Sequence, residues 1–380
     1  MIPSLTADQE LFVDTTRKFL RDSLPGEVRR ALHKQPRGYE PAYWKTGAEL
    51  GWTSLLVSED HGGGSVSGDG LRDLALVAHE FGRHAAPGPL LAANIAALAL
   101  SRAGGEAALE ALDRAGAGEA LVAWCPSEPA PGDGLGQVAA RAVASGTGWV
   151  LSGAKGPVEH GAQADQFVVP ARTDEGLIQL LVPADSAGVT VRPLRTVDVS
   201  RRFARVGFDG VRVPASHVLA GPASGAAEVE RLLHTALAIQ TAETVGAMDR
   251  AFEMTVAWAA DRYSFGRPLA SYQALKHRFA DLKMWLEASH AVADAAVEAV
   301  GGGDPRAGEL VSVAKSYIGH FGPELCQDCV QLHGGIGLTF EHDLHLYLRR
   351  VTVNSMLLGT VREHRLRLAS LLGGVGEVTA

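Results

Sequence analysis

Twice along this chain the spacing of apolar residues changes, and those two changes restrict the fold more than any other feature. From Thr6 to about Gly118, apolar residues such as Leu11, Phe12, Phe19 and Leu20 recur at helical spacing, so each helix turns one stripe toward a core. Thr6 followed by Gln9 resembles a capping box at the first helix. Further helices are expected around Leu71–Phe81, Leu90–Arg102 and Gly104–Gly118, punctuated by His61–Gly64 and Pro87–Pro89. From about Glu119 the runs shorten and fill with valine: Trp149–Leu151, Gln166–Ala171, Leu177–Val182, Val189–Val191 and Val206–Val213. These predict the strands of an antiparallel barrel or sandwich. Long helical periods return over Glu228–Arg262, Tyr272–Val300, Pro305–Leu332 and Asp343–Leu371. Four helices with short connections predict a four-helix bundle. The expected fold is α+β and multidomain: an N-terminal all-α domain over 1–118, a middle β domain over 119–222 and a C-terminal four-helix bundle over 223–380.

Composition bounds the function. No run of ~18 apolar residues is present, so no membrane span is expected. A formal charge of −8 argues against non-specific contact with nucleic acid. Three cysteines make no disulfide framework, and MIPSLTADQELF lacks the basic and apolar regions of a secretory leader. A cytoplasmic location is the expectation.

The chemistry concentrates between Arg262 and Leu282, RYSFGRPLASYQALKHRFADL. Arg262 and Phe265 lie three apart, Gly266 and Pro268 break the chain, and Gln273 opens a new helical run. A cation, an aromatic face and an amide at a helix–loop–helix junction suit a ligand with phosphate and ring parts. On spacing alone, a basic loop between two core helices reads equally well. A second segment downstream, Gln331–Gly337, reads QLHGGIG. Its Gly334 and Gly335 would let backbone N–H groups approach phosphate oxygens, or would end a helix.

R-x-x-F-G-x-x-L-x-x-x-Q followed by A-D-L, with QLHGGIG at this interval, resembles the acyl-CoA dehydrogenase flavoproteins. The resemblance extends over nearly the whole chain and implies FAD as cofactor, an acyl-CoA substrate and an electron-transfer flavoprotein as acceptor. It implies that Arg262 contacts the FAD pyrophosphate, that Phe265 packs near the adenosine half and that Gln273 opens the helix beside them. Gln331, Gly334 and Gly335 are expected to approach that diphosphate from a partner chain. Ser127, in Cys125–Pro129, stands at the threonine position of the family's T-E-P turn beside the flavin ring. Thr360 belongs to the Gly-Thr that follows the usual catalytic glutamate.

Several positions depart from the family's pattern. The residue before Gly359-Thr360 is Leu358, 27 positions after Gln331, and leucine takes no proton. The alternative position of the base, on the first bundle helix, falls on Ala236. Glu243 shares that helix face about 10 Å further along, at 1.5 Å per residue. It is the best-placed carboxylate for removing an α-proton, with a buried carboxylate paired to an arginine as the plainer reading. W-I-T at the flavin is replaced by Pro157-Val158-Glu159, and the serine of the substrate turn by Asp133. Arg349-Arg350 stands where the family often has Arg-Asp. Cys326-x-x-Cys329 and His342-x-x-His345 read as helix positions, and no metal site is expected.

The resemblance therefore supports two functions: α,β-dehydrogenation of an acyl-CoA to a trans-2-enoyl-CoA, or a base-less subunit that completes the FAD site of a catalytic paralogue. A relative of oxidase or monooxygenase type is a third. A homo-oligomer, or a hetero-oligomer with that paralogue, is expected.

Overall fold

The computed structural model describes residues 5–129 and 138–371. Six helices come first: α1 (Ala7–Ser23), α2 (Gly26–Ala31), α3 (Pro41–Glu49), α4 (Gly70–His84), α5 (Leu90–Ala103) and α6 (Glu106–Gly116). Thr6 and Gln9 form the expected reciprocal capping box on α1. Gln9, Val13, Thr16 and Leu20 follow each other on its buried stripe. α5 is buried on nearly every side, as its almost continuous apolar sequence requires.

Eight strands follow: β1 (Val122–Trp124), β2 (Arg141–Ser145), β3 (Gly148–Glu159), β4 (Gln166–Arg172), β5 (Leu177–Pro183), β6 (Val189–Leu194), β7 (Phe203–Pro214) and β8 (Val218–Ala220). They make one connected sheet in the order β6-β7-β3-β2-β4-β5-β8, with β1 beside β4. The expected antiparallel pairing holds except that β4 runs parallel to both β1 and β2. Phe167, Val169, Ile178, Leu180 and Val182 are fully buried in its core.

The last part is helical again: α7 (Gly225–Asp261), α8 (Gln273–Gly301), α9 (Ala307–His333), α10 (Leu344–Met356) and α11 (Val361–Leu371), with a short hairpin of β9 (Tyr263–Ser264) and β10 (Arg267–Pro268) after α7. α7 spans 37 residues and is buried almost continuously from Leu232 to Met248. It packs on α4, α8, α9 and α10. A Cβ on Gly82 would lie 1.9 Å from the Glu243 carbonyl oxygen, and one on Gly246 would lie 2.0 Å from that of His79. α4 and α7 therefore cross with their backbones almost touching.

One expected helix is two. The run over Asp343–Leu371 breaks between α10 and α11, where Leu358 and Gly359 take φ of 58° and 96°. Buried Lys315 donates to the carbonyls of Asn354 and Leu357, satisfying the end of α10. His364 contacts the Leu358 carbonyl through Nε2 at 3.0 Å. The apolar period runs through the break because α10 and α11 both pack on α9. Among the described residues no helix is long and apolar enough to cross a membrane.

Candidate functional site

Two places on α7 carry the expected chemistry. The first is its C-terminal end. Arg262 caps α7, its N–H donating to the Trp258 carbonyl at 2.8 Å. Its guanidinium lies 5.8 Å from the Trp258 ring, which stacks on His333 at 5.4 Å. His333 precedes Gly334, the cap of α9, with φ +66°. Arg262 and the Gln331–Gly335 segment thus meet at one end of a single chain. Arg262 and Gln331 are exposed, Arg262 has no carboxylate partner among the described residues, and a Cβ on Gly334 or Gly335 would meet nothing.

Phe265 and Gly266 are the two-residue turn between β9 and β10, both with positive φ. Such turns demand this backbone, which glycine takes freely and phenylalanine takes at a cost. Phe265 is nonetheless 98% exposed. The turn is tied back by the Tyr272 hydroxyl, which donates to the Ser264 carbonyl at 2.7 Å, and by the Leu269 N–H, which donates to Arg262. Gln273 begins α8 beside it, exposed. A free cation, an open aromatic and bare glycine backbone fit a diphosphate and an adjoining ring.

The second place lies between α7, α5, the sheet and the α10–α11 break. Ser127, Glu159, Gln240 and Leu358 line a cavity there of about 30 Å³ with Trp124 and Phe203. The Ser127 turn is held from below: fully buried Lys155 donates to Glu128 at 2.7 Å, and Gly156 N–H donates to the Ser127 carbonyl. Burial pushes the Lys155 amine down, and its ion pair with Glu128 opposes that fall. Trp124 Nε1 and Gln240 Nε2 are buried without hydrogen-bond partners, while Glu159 Oε1 lies 3.1 Å from Arg201 Nε in a buried ion pair. A cavity of this size holds one or two waters, at ~10–15 Å³ each, which would satisfy such atoms. Leu358 borders the cavity, and burial raises the pKa of the Glu159 carboxyl beside it. The residues at the C-terminal end of α7 have the chemistry to hold the diphosphate–adenosine part of FAD.

Glu243 points elsewhere. Its Oε1 accepts from Arg350 Nη1 at 2.5 Å; its Oε2 accepts from Arg201 Nη2 at 2.8 Å and Asn354 Nδ2 at 3.1 Å. Arg350 also donates to Asp198 at 2.5 Å, Ser200 at 2.6 Å and the Ala86 carbonyl at 2.9 Å. Desolvation pushes the Asp198 carboxyl up, but the Arg350 and Arg201 cations and its hydrogen bonds outweigh it and hold the group below its usual range. Both Glu243 oxygens are committed, so the expectation of a free base at Glu243 gives way to a paired structural carboxylate. Ala236 is fully buried in the core. The Thr360 hydroxyl is committed too, donating to Glu363 at 2.8 Å in the capping of α11. Asp133 lies outside the described residues.

Sequence reasoning missed Arg201 and Lys315, which no local pattern marks, and noted Arg350 only as a departure from the family's Arg-Asp. Among the described residues one group has metal-ligand composition: Asp249 contacts His79 Nε2 at 2.7 Å and His290 Nε2 at 3.0 Å. These are hydrogen-bond distances, and they leave the Asp249 carboxyl well below its usual range despite its burial. Cys326 and Cys329 are buried on α9, where desolvation pushes both thiols up, Cys329 to about 12.

A helical layer, a small sheet and a helical bundle make the architecture, with a cation–aromatic–glycine platform at the bundle's end. Residues 6–118 match the model of the acyl-CoA dehydrogenase N-terminal domain, and residues 223–372 match that of the C-terminal domain. The chain is 32% identical over 348 residues to the acyl-CoA dehydrogenase IpdE2 of Mycobacterium tuberculosis, covering 91% of each. It superposes on the Tcur3481-Tcur3483 steroid ACAD with a TM-score of 0.88 and 27% identity, over 96% of this chain and 98% of that one. With the ChsE4-ChsE5 complex from Mycobacterium tuberculosis the TM-score is 0.87 at 25% identity, over 99% and 100%. The chain belongs to the acyl-CoA dehydrogenase family, a class of FAD-dependent oxidoreductases.

Proposed function

We propose that this chain is the base-less half of a two-subunit acyl-CoA dehydrogenase. It lends the diphosphate–adenosine platform of Arg262, Phe265, Gln273, Gln331, Gly334 and Gly335 to FAD whose ring sits in a paralogous subunit. That subunit brings the carboxylate that takes the α-proton of the acyl-CoA, and the pair yields a trans-2-enoyl-CoA in the cytoplasm. An electron-transfer flavoprotein accepts the electrons.

The observation that carries this reading is the pairing of an open platform with a small cavity that has Leu358 where the family's base would stand. The platform is exposed and its arginine is unpaired among the described residues, whereas the cavity of about 30 Å³ is bordered by Leu358 and a buried carboxyl. Geometry adds to it. Gln240, at the cavity, and Arg262, at the platform, are 22 positions apart on α7, about 33 Å at 1.5 Å per residue. One extended dinucleotide does not span that distance, so a platform serves a ring held by another chain. The ChsE4-ChsE5 complex is a pair of unlike chains by name and has the same fold, which agrees with such an assembly.

The test is to purify the chain alone and with a co-expressed paralogue, then measure FAD per subunit and anaerobic bleaching by acyl-CoA. Alone it is expected to be colourless and inert; in the pair, one FAD per two chains and turnover are expected. A homo-oligomer with one FAD per chain and good turnover would overturn the reading.

A further inference from the structure

A second cavity lies on the other side of α4, where α1, α2, the end of α4 and the middle of α7 meet. Its volume is about 330 Å³, and Arg17, Arg21, Arg29, Arg83, Arg250 and His84 line it without a carboxylate among the lining residues. Five guanidiniums around one space repel each other unless something negative stands among or behind them. The compensation is behind: Arg17 pairs with Glu80 and Asp14, Arg21 with Asp22, Arg83 and Arg250 with Glu253, and Arg29 with Asp343, each carboxylate outside the cavity wall. A guanidinium carries five N–H donors in a planar fork, and one carboxylate engages two. The remaining donors face other directions. Arg29 shows this directly: Nη1 donates to the His84 carbonyl and Nη2 to Asp343, and each of these nitrogens carries a second N–H.

We infer that this cavity binds a small polyanion carrying a diphosphate, with Arg29 and Arg83 as its fixed donors and Arg17, Arg21 and Arg250 around it. Size favours a diphosphate over a single phosphate, because the volume is at the lower end of ordinary small-molecule pockets. Chemistry favours phosphate oxygens, because guanidinium forks match them two bonds at a time. The arginines come from four helices on both sides of the α4–α7 crossing, so a bound anion ties the first helices to α7. The site is distinct from the Arg262 platform, which lies at the C-terminal end of α7, 12 positions beyond Arg250.

The experiment is calorimetric titration of the full chain, in whatever assembly it is isolated, with inorganic pyrophosphate and with ADP. It is run in an Arg262→Ala background so that the FAD platform does not contribute. Saturable binding is expected, weakening as salt rises. Arg29→Lys keeps the charge and loses the fork, and is expected to weaken binding about tenfold. Arg21→Gln, at an exposed position, checks the cavity without risk to folding and is expected to weaken binding several-fold. Tighter binding of ADP than of pyrophosphate assigns a nucleotide-class ligand, and equal binding assigns the diphosphate alone. No binding at millimolar concentration by folded protein, or binding that ignores both substitutions, overturns the inference. So does displacement of the cavity's salt-sensitive binding only by acidic peptides, which would make it a protein contact.

Discussion

Two guanidiniums and one amide share the Glu243 carboxylate, so replacing it by an amide leaves Arg350 and Arg201 with less negative charge around them in a buried site. Breaking a buried pair from one side typically costs ~3–5 kcal/mol. Glu243→Gln is therefore expected to lower the urea midpoint strongly. A variant of unchanged stability that loses α-proton exchange on acyl-CoA would return Glu243 to the chemistry. His160 gives a second residue-scale prediction. It is fully buried beside Arg201 and Arg202, and desolvation, helped by those two cations, lowers its pKa from 6.5 to about 3. The native state then binds fewer protons than the unfolded chain between those values. Stability is complete above pH 6.5 and falls as the pH drops toward 3, by at most about 1.4 kcal/mol per unit from this group. His160→Asn, which tolerates the φ of +52°, is expected to flatten the slope of unfolding free energy between pH 6 and about 4. An unchanged slope would mean that other groups set it.

At the scale of elements, the crossing of α4 and α7 leaves no room for a side chain. Gly246→Ala places a Cβ 2.0 Å from the His79 carbonyl oxygen, and the helices must part. Overpacking of this kind costs about 1–3 kcal/mol, more where backbone opposes backbone. A clear drop in thermal midpoint is expected; an unaltered midpoint would show that the crossing yields easily. The β9–β10 hairpin behaves differently. Its turn residue Phe265 is 98% exposed with positive φ, so the strain buys nothing within the chain. Phe265→Asn should leave the isolated chain as stable or more so, yet loosen FAD in the assembly.

At the scale of the whole molecule, the platform and the small cavity sit at separate places on one long helix. Arg262→Ala or Gln331→Ala is expected to weaken FAD retention in the assembled protein about tenfold or more, since a charge-assisted contact contributes ~1.5–3 kcal/mol. Full flavin content in both variants after dialysis would remove the platform from the cofactor site. What the sequence determined by itself was local. The two changes of period announced helices, sheet and helices, because side-chain spacing follows directly from backbone geometry. The Arg262–Gln273 and Gln331–Gly335 segments could be read because each is a few residues long and bounded by glycine. The helix break at Leu358 was hidden, since α10 and α11 keep one apolar period against the same α9. Only the tertiary structure decided the fate of the carboxylates. Asp198, Arg201, Glu243 and Arg350 stand up to 152 positions apart, and no spacing rule links residues that meet solely because α7, α10 and the loop before β7 converge. The same holds for the small cavity beside Leu358 and the arginine-lined one: each is a space between elements, fixed by how helices and sheet pack and not by any one stretch of chain.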